Sequence, residues 1–314
     1  MTLLLTDAEV RAAFDWSAAV TALRTAYAAD NTGSRFPARG MARGDGSWLR
    51  TLSGVPAGSG YMGAKLIAAN MRSRRASYLI PLFDEATTEL VALLDGHSIT
   101  GFRTAATSAL AADLLAVPGP LRVAAIGSGF EARNHLQALA AIRSLESVHV
   151  YSPTPASREA FARELTAEAH DTAEAAVDRA NVVICAARSR DETPTFRGEW
   201  LRPGMTVVSI GSTLPEQREV DTETLARADL IVADMVEEVL HDTGDVLAAR
   251  ADGIDVTAKT VPLSDSVGRT DADQILLYKS VGSAVQDLAV AVMCLQRAGE
   301  NGTRLPDVIH PVQK

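Results

Sequence analysis

Beyond "VPGP" at 117–120, the chain reads as short apolar runs: "LRVAAIG" (121–127), "SVHVYS" (147–152), "NVVICAA" (181–187), "GMTVVSIG" (204–211) and "DLIVADM" (229–235). Each ends in small or polar residues, and helical stretches lie between most of them. A strand that is apolar throughout must be covered on both faces, so this alternation predicts a doubly wound parallel sheet sandwiched by helices. The usual third strand is absent or vestigial. Between the helical stretches "SREAFARELTAEA" and "TAEAAVDRA" only His170 and Asp171 remain.

Upstream the texture differs. Thr6 and Glu9 form a T-x-x-E capping signal, and a second helix follows Asp15, with Trp16, Val20, Leu23 and Tyr27 at helical spacing. The Gly-, Arg- and Ser-rich stretch 31–60 holds short pieces such as "WLRTLSGV" that read as strands and loops. "SYLIPLF" and "ELVALLD" flank "DEATT" as a hairpin. Ser98 is expected to cap the small-residue helix "ITGFRTAATSALAADLLA", which stops at "VPGP", the expected domain boundary.

Composition removes several classes. A net charge of −9 argues against non-specific binding to nucleic acid or an anionic membrane surface. No apolar run approaches the roughly 18 residues needed to span a bilayer. The N-terminus meets acidic residues too early for a signal peptide. Cys185 and Cys294 are far apart and form no disulfide framework, which fits a reducing cytoplasm. Cys185 ends an apolar strand and reads as packing rather than as a nucleophile. The six histidines form no H-x-x-x-H pair or metal-spaced cluster, so no metal site is expected. Neither serine-bearing glycine turn reads G-x-S-x-G.

The turn after the first run is Gly127-Ser128-Gly129-Phe130-Glu131-Ala132. Following a strand and opening a helix, G-x-G-x-x-A has a mechanical reading. The first glycine turns the chain, the second admits a pyrophosphate to the backbone, and the small third residue lets helix and strand pack closely. The phosphates would lie at the helix N-terminus. The alternative is a tight structural turn; the βα frame favours the dinucleotide. At the end of the second run, an acid would bind a ribose 2′-OH and repel a 2′-phosphate. Here stand Tyr151-Ser152-Pro153-Thr154, with Arg158 in the next helix. Hydroxyls and a guanidinium suit NADPH, with NAD(H) the alternative; Arg158 reads equally as a solvated helix residue.

Three cations interrupt apolar or small-residue stretches: Arg39 after "RFP", Lys65 in "YMGAKLIAAN", and Arg103 between Phe102 and Thr104-Ala105-Ala106. A lone Lys or Arg is ordinarily solvated. Burying one without a partner costs several kcal/mol, and the natural partner is an anion. Convergence of the three would suit the carboxylate of an amino or keto acid, which Arg binds bidentately.

Four segments in order, "DGHSITGFRTAATSALAADLLA", "AAIGSGFEARNHLQAL", "SIGSTLPEQREVD" and "LLYKSVGSAVQDLAVA", resemble the ornithine cyclodeaminase/mu-crystallin family over nearly the whole chain. The resemblance implies a homodimer. It also implies a substrate-binding and dimerisation domain of α+β type (1–117 with 286–314) and a Rossmann domain (118–285). Arg39, Lys65 and Arg103 fall where the family holds the substrate carboxylate, Arg39 in a loop that aligns poorly. Ile210-Gly211-Ser212 and Val281-Gly282 would lie near the nicotinamide. Thr104, Ser152, Thr154, Arg158 and Ala186, with residues 127–132, complete the expected cofactor contacts. Cyclodeaminases of the family carry G-G-D where this chain has Gly211-Ser212-Thr213. Thr213 is uncharged at neutral pH and cannot replace that acid as a base; it is retained as a substrate contact. Ser152, where the cyclodeaminase has an acid suited to NAD, points the same way.

The expected activity is therefore NADPH-dependent reduction of a C=N bond beside a carboxylate, with Lys65 and Arg103 anchoring and polarising a small amino- or imino-acid substrate. Lys65, or a water it holds, would donate the proton. The alternatives are an ornithine cyclodeaminase that recycles its NAD, with Asp234, Asp242 or Asp245 standing in for the missing acid, and an NADPH-linked small-molecule binding protein.

Overall fold

The computed structural model describes residues 1–30, 34–189, 191–264, 267–306 and 311–312. These divide into two compact units, Met1–Arg103 with Ser283–Lys314, and Thr104–Gly282. The expected boundary at 117–118 lies instead just past the end of a helix that runs through the 103–104 division.

The first unit opens with strand β1 (Thr2–Leu5) and helices α1 (Asp7–Ala13) and α2 (Trp16–Ala28). The T-x-x-E signal is a true capping box. The Glu9 amide donates to Thr6 Oγ1 at 3.5 Å, and the Thr6 amide donates to Glu9 at 2.7 Å. Asp15 caps α2 by accepting from the Ala18 amide at 2.8 Å. Strands β2 (Gly40–Arg43), β3 (Ser47–Gly54), β4 (Tyr61–Asn70), β5 (Arg75–Asp84) and β6 (Leu90–Asp95) follow as an antiparallel meander. The expected β5–β6 hairpin is present. Asp84 closes it by accepting from the Ala86 and Thr87 amides at 3.0 and 2.7 Å.

Helix α3 (His97–Leu115) begins one residue before Ser98, so Ser98 is not its cap. Asp95 accepts from the His97 amide at 2.8 Å, and the Gly96 carbonyl takes the first helical bond, from Thr100 at 3.0 Å. Ser98 is fully buried and donates its hydroxyl to Asp7.

The second unit holds an eight-stranded sheet in which every pairing is parallel. Its elements are β7 (Leu121–Ile126), α4 (Phe130–Ala140), β8 (Leu145–Tyr151), α5 (Pro155–Leu165), β9 (Glu168–Ala169), α6 (Ala173–Val177), β10 (Val182–Cys185), β11 (Thr206–Ser209), α7 (Thr222–Arg227), β12 (Leu230–Ala233), α8 (Val236–Asp242), α9 (Gly244–Ala251), β13 (Thr260–Pro262) and β14 (Leu276–Lys279). The strand order is β13-β12-β14-β11-β10-β7-β8-β9. From β9 to β11 this is the doubly wound order, with the direction of winding reversing between β7 and β10, where such sheets bind ligands. Strand β14 inserts between β11 and β12, a placement that chain order does not suggest.

The third strand survives as two residues. Helix α5 stops at Leu165, short of the sequence expectation, because Thr166 turns left-handed (φ 52°) and its amide closes on the Ala162 carbonyl. That frees Glu168 and Ala169 to pair with His149 and Val150. Cys185 lies within the core of this unit, and burial pushes its thiol well above the ordinary range, as packing requires.

The chain then returns to the first unit as α10 (Ala284–Ala298) and β15 (Thr303–Leu305). Strand β15 completes a seven-stranded sheet ordered β15-β1-β6-β5-β4-β3-β2, and α10 packs on β4 and α2. Among the described residues no helix is long and apolar enough to cross a membrane.

Candidate functional site

Strand β4 alternates, and its inward residues include Lys65 and Ile67, two apart and both buried. Lys65 is 1% exposed. Its Nζ lies 2.7 Å from Oδ1 of Asp287, in the first turn of α10, and Arg103 Nε lies 2.9 Å from the same oxygen. Asp287 is fully buried and its Oδ2 makes no hydrogen bond. Arg103 Nη1 also donates to Gln286, whose amide nitrogen donates to Tyr27 Oη at 3.0 Å. Two expected site residues are thus joined by an acid that was not anticipated. Burial brings the Lys65 ammonium down to about 8; Asp287 pushes the other way, and Arg103 and Arg50 add to the lowering. The cluster sets an ammonium and a guanidinium side by side in a buried place, donors suited to a carboxylate. Arg39 stands half-buried just before β2.

The glycine turn behaves as its pattern requires. Gly127 has φ +118°, and a Cβ there would stand 2.6 Å from the Ala186 carbonyl oxygen, so the turn needs glycine and is set against the end of β10. At Gly129 a Cβ would meet nothing within 4 Å. The backbone there faces open space, as close approach of a pyrophosphate demands. Gly129 caps α4 with no side-chain bond, Glu131 lies in the first turn, and Ala132 is fully buried in the helix–sheet contact. Phe130 is exposed. Ser128 is buried and its hydroxyl lies 2.8 Å from Ser152 Oγ and 2.7 Å from Ser157 Oγ.

Beyond β8, Ser152 bonds onward to the Thr154 carbonyl at 3.4 Å, and Thr154 stands at the N-cap of α5. Arg158 is not a solvated residue. It donates to the Ser152 carbonyl at 3.2 Å and pairs with Asp171, while Asp171 itself is 91% exposed. An acid therefore does stand at this end of the sheet, supplied from beyond β9 rather than from β8.

The loop after β11 hangs on Glu219. Its Oε2 accepts from Ser209 Oγ and from the Ile210 and Gly211 amides, each at 2.8 Å. A Cβ at Gly211 would lie 2.5 Å from Glu219 Oε1, so any larger residue would have to displace the carboxylate that holds the loop. Burial raises the Glu219 carboxyl to about 7 against the pull of the Gly211 amide, Lys279 and Ser209. Lys279 pairs with Asp245 at 2.6 Å, both fully buried. Ser212 donates to the Gln217 carbonyl at 2.6 Å, and Thr213 binds Gln217 Oε1 through its amide and its hydroxyl, each at 3.1 Å. Asp234 accepts from Ser280 Oγ and the Gly282 amide on Oδ2 (2.6 and 2.8 Å), and from the Val281 amide on Oδ1 at 3.0 Å. Of the acids that could have replaced the missing one, Asp234 is thus committed to the 280–282 turn and Asp245 to the ion pair with Lys279. Thr104 and Ala186 are half-buried.

Asp287, Gln286, Asp171 and Glu219 escaped the sequence reading. Asp287 had a usable signal. It is a charge inside an apolar helix face, the criterion that singled out Lys65.

A doubly wound sheet with a glycine-rich first turn, in a chain that also carries a buried cation cluster, defines a two-unit α/β protein of the dinucleotide-binding dehydrogenase class. The chain belongs to the ornithine cyclodeaminase/mu-crystallin family, whose model matches residues 2–302. The ketimine reductase mu-crystallin of Mus musculus is 33% identical over 221 residues, 70% of this chain and 68% of that one. A Delta(1)-pyrroline-2-carboxylate/Delta(1)-piperideine-2-carboxylate reductase of Azospirillum brasilense is 35% identical over 230 residues, covering 70% and 71%. The crystal structure of a probable ornithine cyclodeaminase from Bordetella pertussis Tohama I matches with a TM-score of 0.85 at 34% identity, over 98% of this chain and 100% of that one.

Proposed function

We propose that this protein is an NAD(P)H-dependent reductase of an imine or ketimine adjacent to a carboxylate, acting on a small cyclic or 2-oxo-acid-derived substrate. The observation that carries the reading is the buried Lys65–Asp287–Arg103 cluster, which sets an ammonium and a guanidinium together. The reductases named among its relatives act on pyrroline and piperideine carboxylates, which have the C=N bond and the acid that such a cluster calls for.

The residues divide the work. The Arg103 guanidinium, oriented by Asp287 and Gln286, binds the substrate carboxylate, with Arg39 contributing where its loop allows. Lys65, at about 8, can hold a proton at neutral pH and release it to the nascent amine nitrogen. A nicotinamide, when bound, would supply the hydride for the imine carbon. Gly127, Ser128, Gly129 and the start of α4 are shaped to take its pyrophosphate. Ser152, Thr154 and Arg158 lie at the ribose end and favour NADPH, because no acid ends β8; NAD(H) is the second choice, and Asp171 beside Arg158 supports it. Ile210-Gly211-Ser212 and Val281-Gly282, pinned by Glu219 and Asp234, form the nicotinamide end in this reading.

Ornithine cyclodeamination needs an acid where Thr213 stands, and Asp234 and Asp245 are already engaged. We also propose a homodimer built on the first unit, with 1–117 and 286–314 as substrate and dimerisation domain and 118–285 as cofactor domain, in a reducing cytoplasm. The test is a spectrophotometric screen of NADPH and NADH oxidation against pyrroline-2-carboxylate, piperideine-2-carboxylate and 2-oxo acids with amines. Turnover of the cyclic imines is expected. Efficient formation of proline from ornithine without net cofactor consumption would overturn the assignment.

A further inference from the structure

The two-residue strand β9 places three metal-ligating side chains together. Parallel pairing sets Glu168 opposite His149, and His170, two residues on, shares the face of Glu168. His149 Nδ1 lies 3.0 Å from His170 Nε2. Glu168 oxygens lie 3.6 Å from the first and 3.8 Å from the second. Among the described residues this is the one group of histidine, cysteine and acid side chains whose donor atoms lie within 4.8 Å of one another. Sequence spacing did not bring these side chains together because they come from β8 and from β9 and the residue after it, and β9 was read as helix.

We infer that His149, Glu168 and His170 form a divalent transition-metal site of the zinc class, with water completing the coordination. Three lines support it. Two nitrogens bound to zinc at about 2.0–2.1 Å with tetrahedral angles stand about 3.3 Å apart, so the observed 3.0 Å needs a shift of only a few tenths of an ångström. His149 Nε2 lies 3.0 Å from Ser147 Oγ, two residues back on the same face of β8. Ser147 can accept from Nε2–H, and in that tautomer the Nδ1 lone pair faces His170 and Glu168, the role an outer partner plays for a metal-bound imidazole. The donors open on a cleft of about 460 Å³ bordered by Glu174, Asp178 and Arg179, so acids outnumber the one cation beside the ligands.

The site has a structural use. Strand β9 is held to β8 by two residue pairs, and Asp171, two residues past it, pairs with Arg158. A metal bridging His149 to Glu168 and His170 would staple this edge strand and fix Asp171 beside Arg158.

The experiment uses the full chain without an affinity tag, dialysed against chelator and titrated calorimetrically with ZnCl2. One equivalent should bind with micromolar or tighter affinity, and the melting temperature should rise with added zinc. Co2+ should give the intense visible bands of a tetrahedral site. His170→Gln and Glu168→Gln should each weaken zinc binding at least tenfold; His241→Ala, on an exposed helix end, should leave it unchanged. His170→Gln serves if the buried His149→Ala variant fails to fold. The inference is overturned if wild type binds zinc no more tightly than His170→Gln, or if Co2+ develops no tetrahedral bands.

Discussion

Replacing Asp287 by Asn tests the cation cluster directly. The side chain keeps its shape and loses the charge that faces Lys65 at 2.7 Å and Arg103 at 2.9 Å. Opposite unit charges at about 4 Å attract by about 4 kcal/mol at an effective dielectric near 20. Removing one partner of a buried pair costs about 3–5 kcal/mol, because the other is left uncompensated. We expect a loss of that size in unfolding free energy at pH 7, and a fall in the Lys65 pKa of about 1–2 units. The sign of the pH dependence follows from burial. In the wild type the Lys65 ammonium sits at about 8 rather than its ordinary 10.5, so between these values the unfolded chain holds the proton and the folded chain does not. Lys65's contribution to stability is therefore fully present above 10.5 and is lost as pH falls through about 8, a difference of about 3 kcal/mol. In the variant that loss should extend to lower pH. A carboxylate ligand, L-proline for instance, should stabilise the variant more than the wild type by supplying the missing charge. Urea denaturation from pH 6 to 10, with and without L-proline, reads all three effects. A variant within about 1 kcal/mol of wild type at pH 7, with an unchanged pH profile, would refute the reasoning.

Three further outcomes are expected. Arg103→Lys keeps the charge but loses the planar fork, and should cost about 2–4 kcal/mol in kcat/KM while cofactor affinity, read by fluorescence titration, changes far less. Ser152→Asp places a carboxylate at the end of β8 and should lower NADPH affinity by about tenfold or more with a smaller effect on NADH; equal losses for both cofactors would count against Ser152 as the selector. Glu219, raised from 4.5 to about 7, contributes stability that is fully present below 4.5 and lost as pH rises through 7. That loss is about 3 kcal/mol, so Glu219→Gln should gain on the wild type between pH 5 and pH 8 in paired denaturation curves.

The second unit was legible because its information is local. A buried parallel strand announces itself as an apolar run, and Gly127 and Ala132 act within a few residues of each other. The capping box at Thr6 and Glu9 is legible for the same reason. What stayed hidden depends on pairing between distant segments. Lys65 and Arg103 stood out as charges in apolar surroundings, but their partner Asp287 lies 222 residues from Lys65 along the chain. Arg158 could not be told from a solvated helix residue until β9 delivered Asp171 to it. That strand was lost in turn to a single backbone conformation. A helical pattern runs on through Thr166 in sequence, and only the left-handed turn there ends α5 four residues early. One residue's φ therefore decides whether Glu168 and Ala169 continue a helix or form a strand. Only that strand sets Glu168 opposite His149 and leads the chain on to Asp171 beside Arg158, so the hidden donor cluster and the hidden acid share one cause.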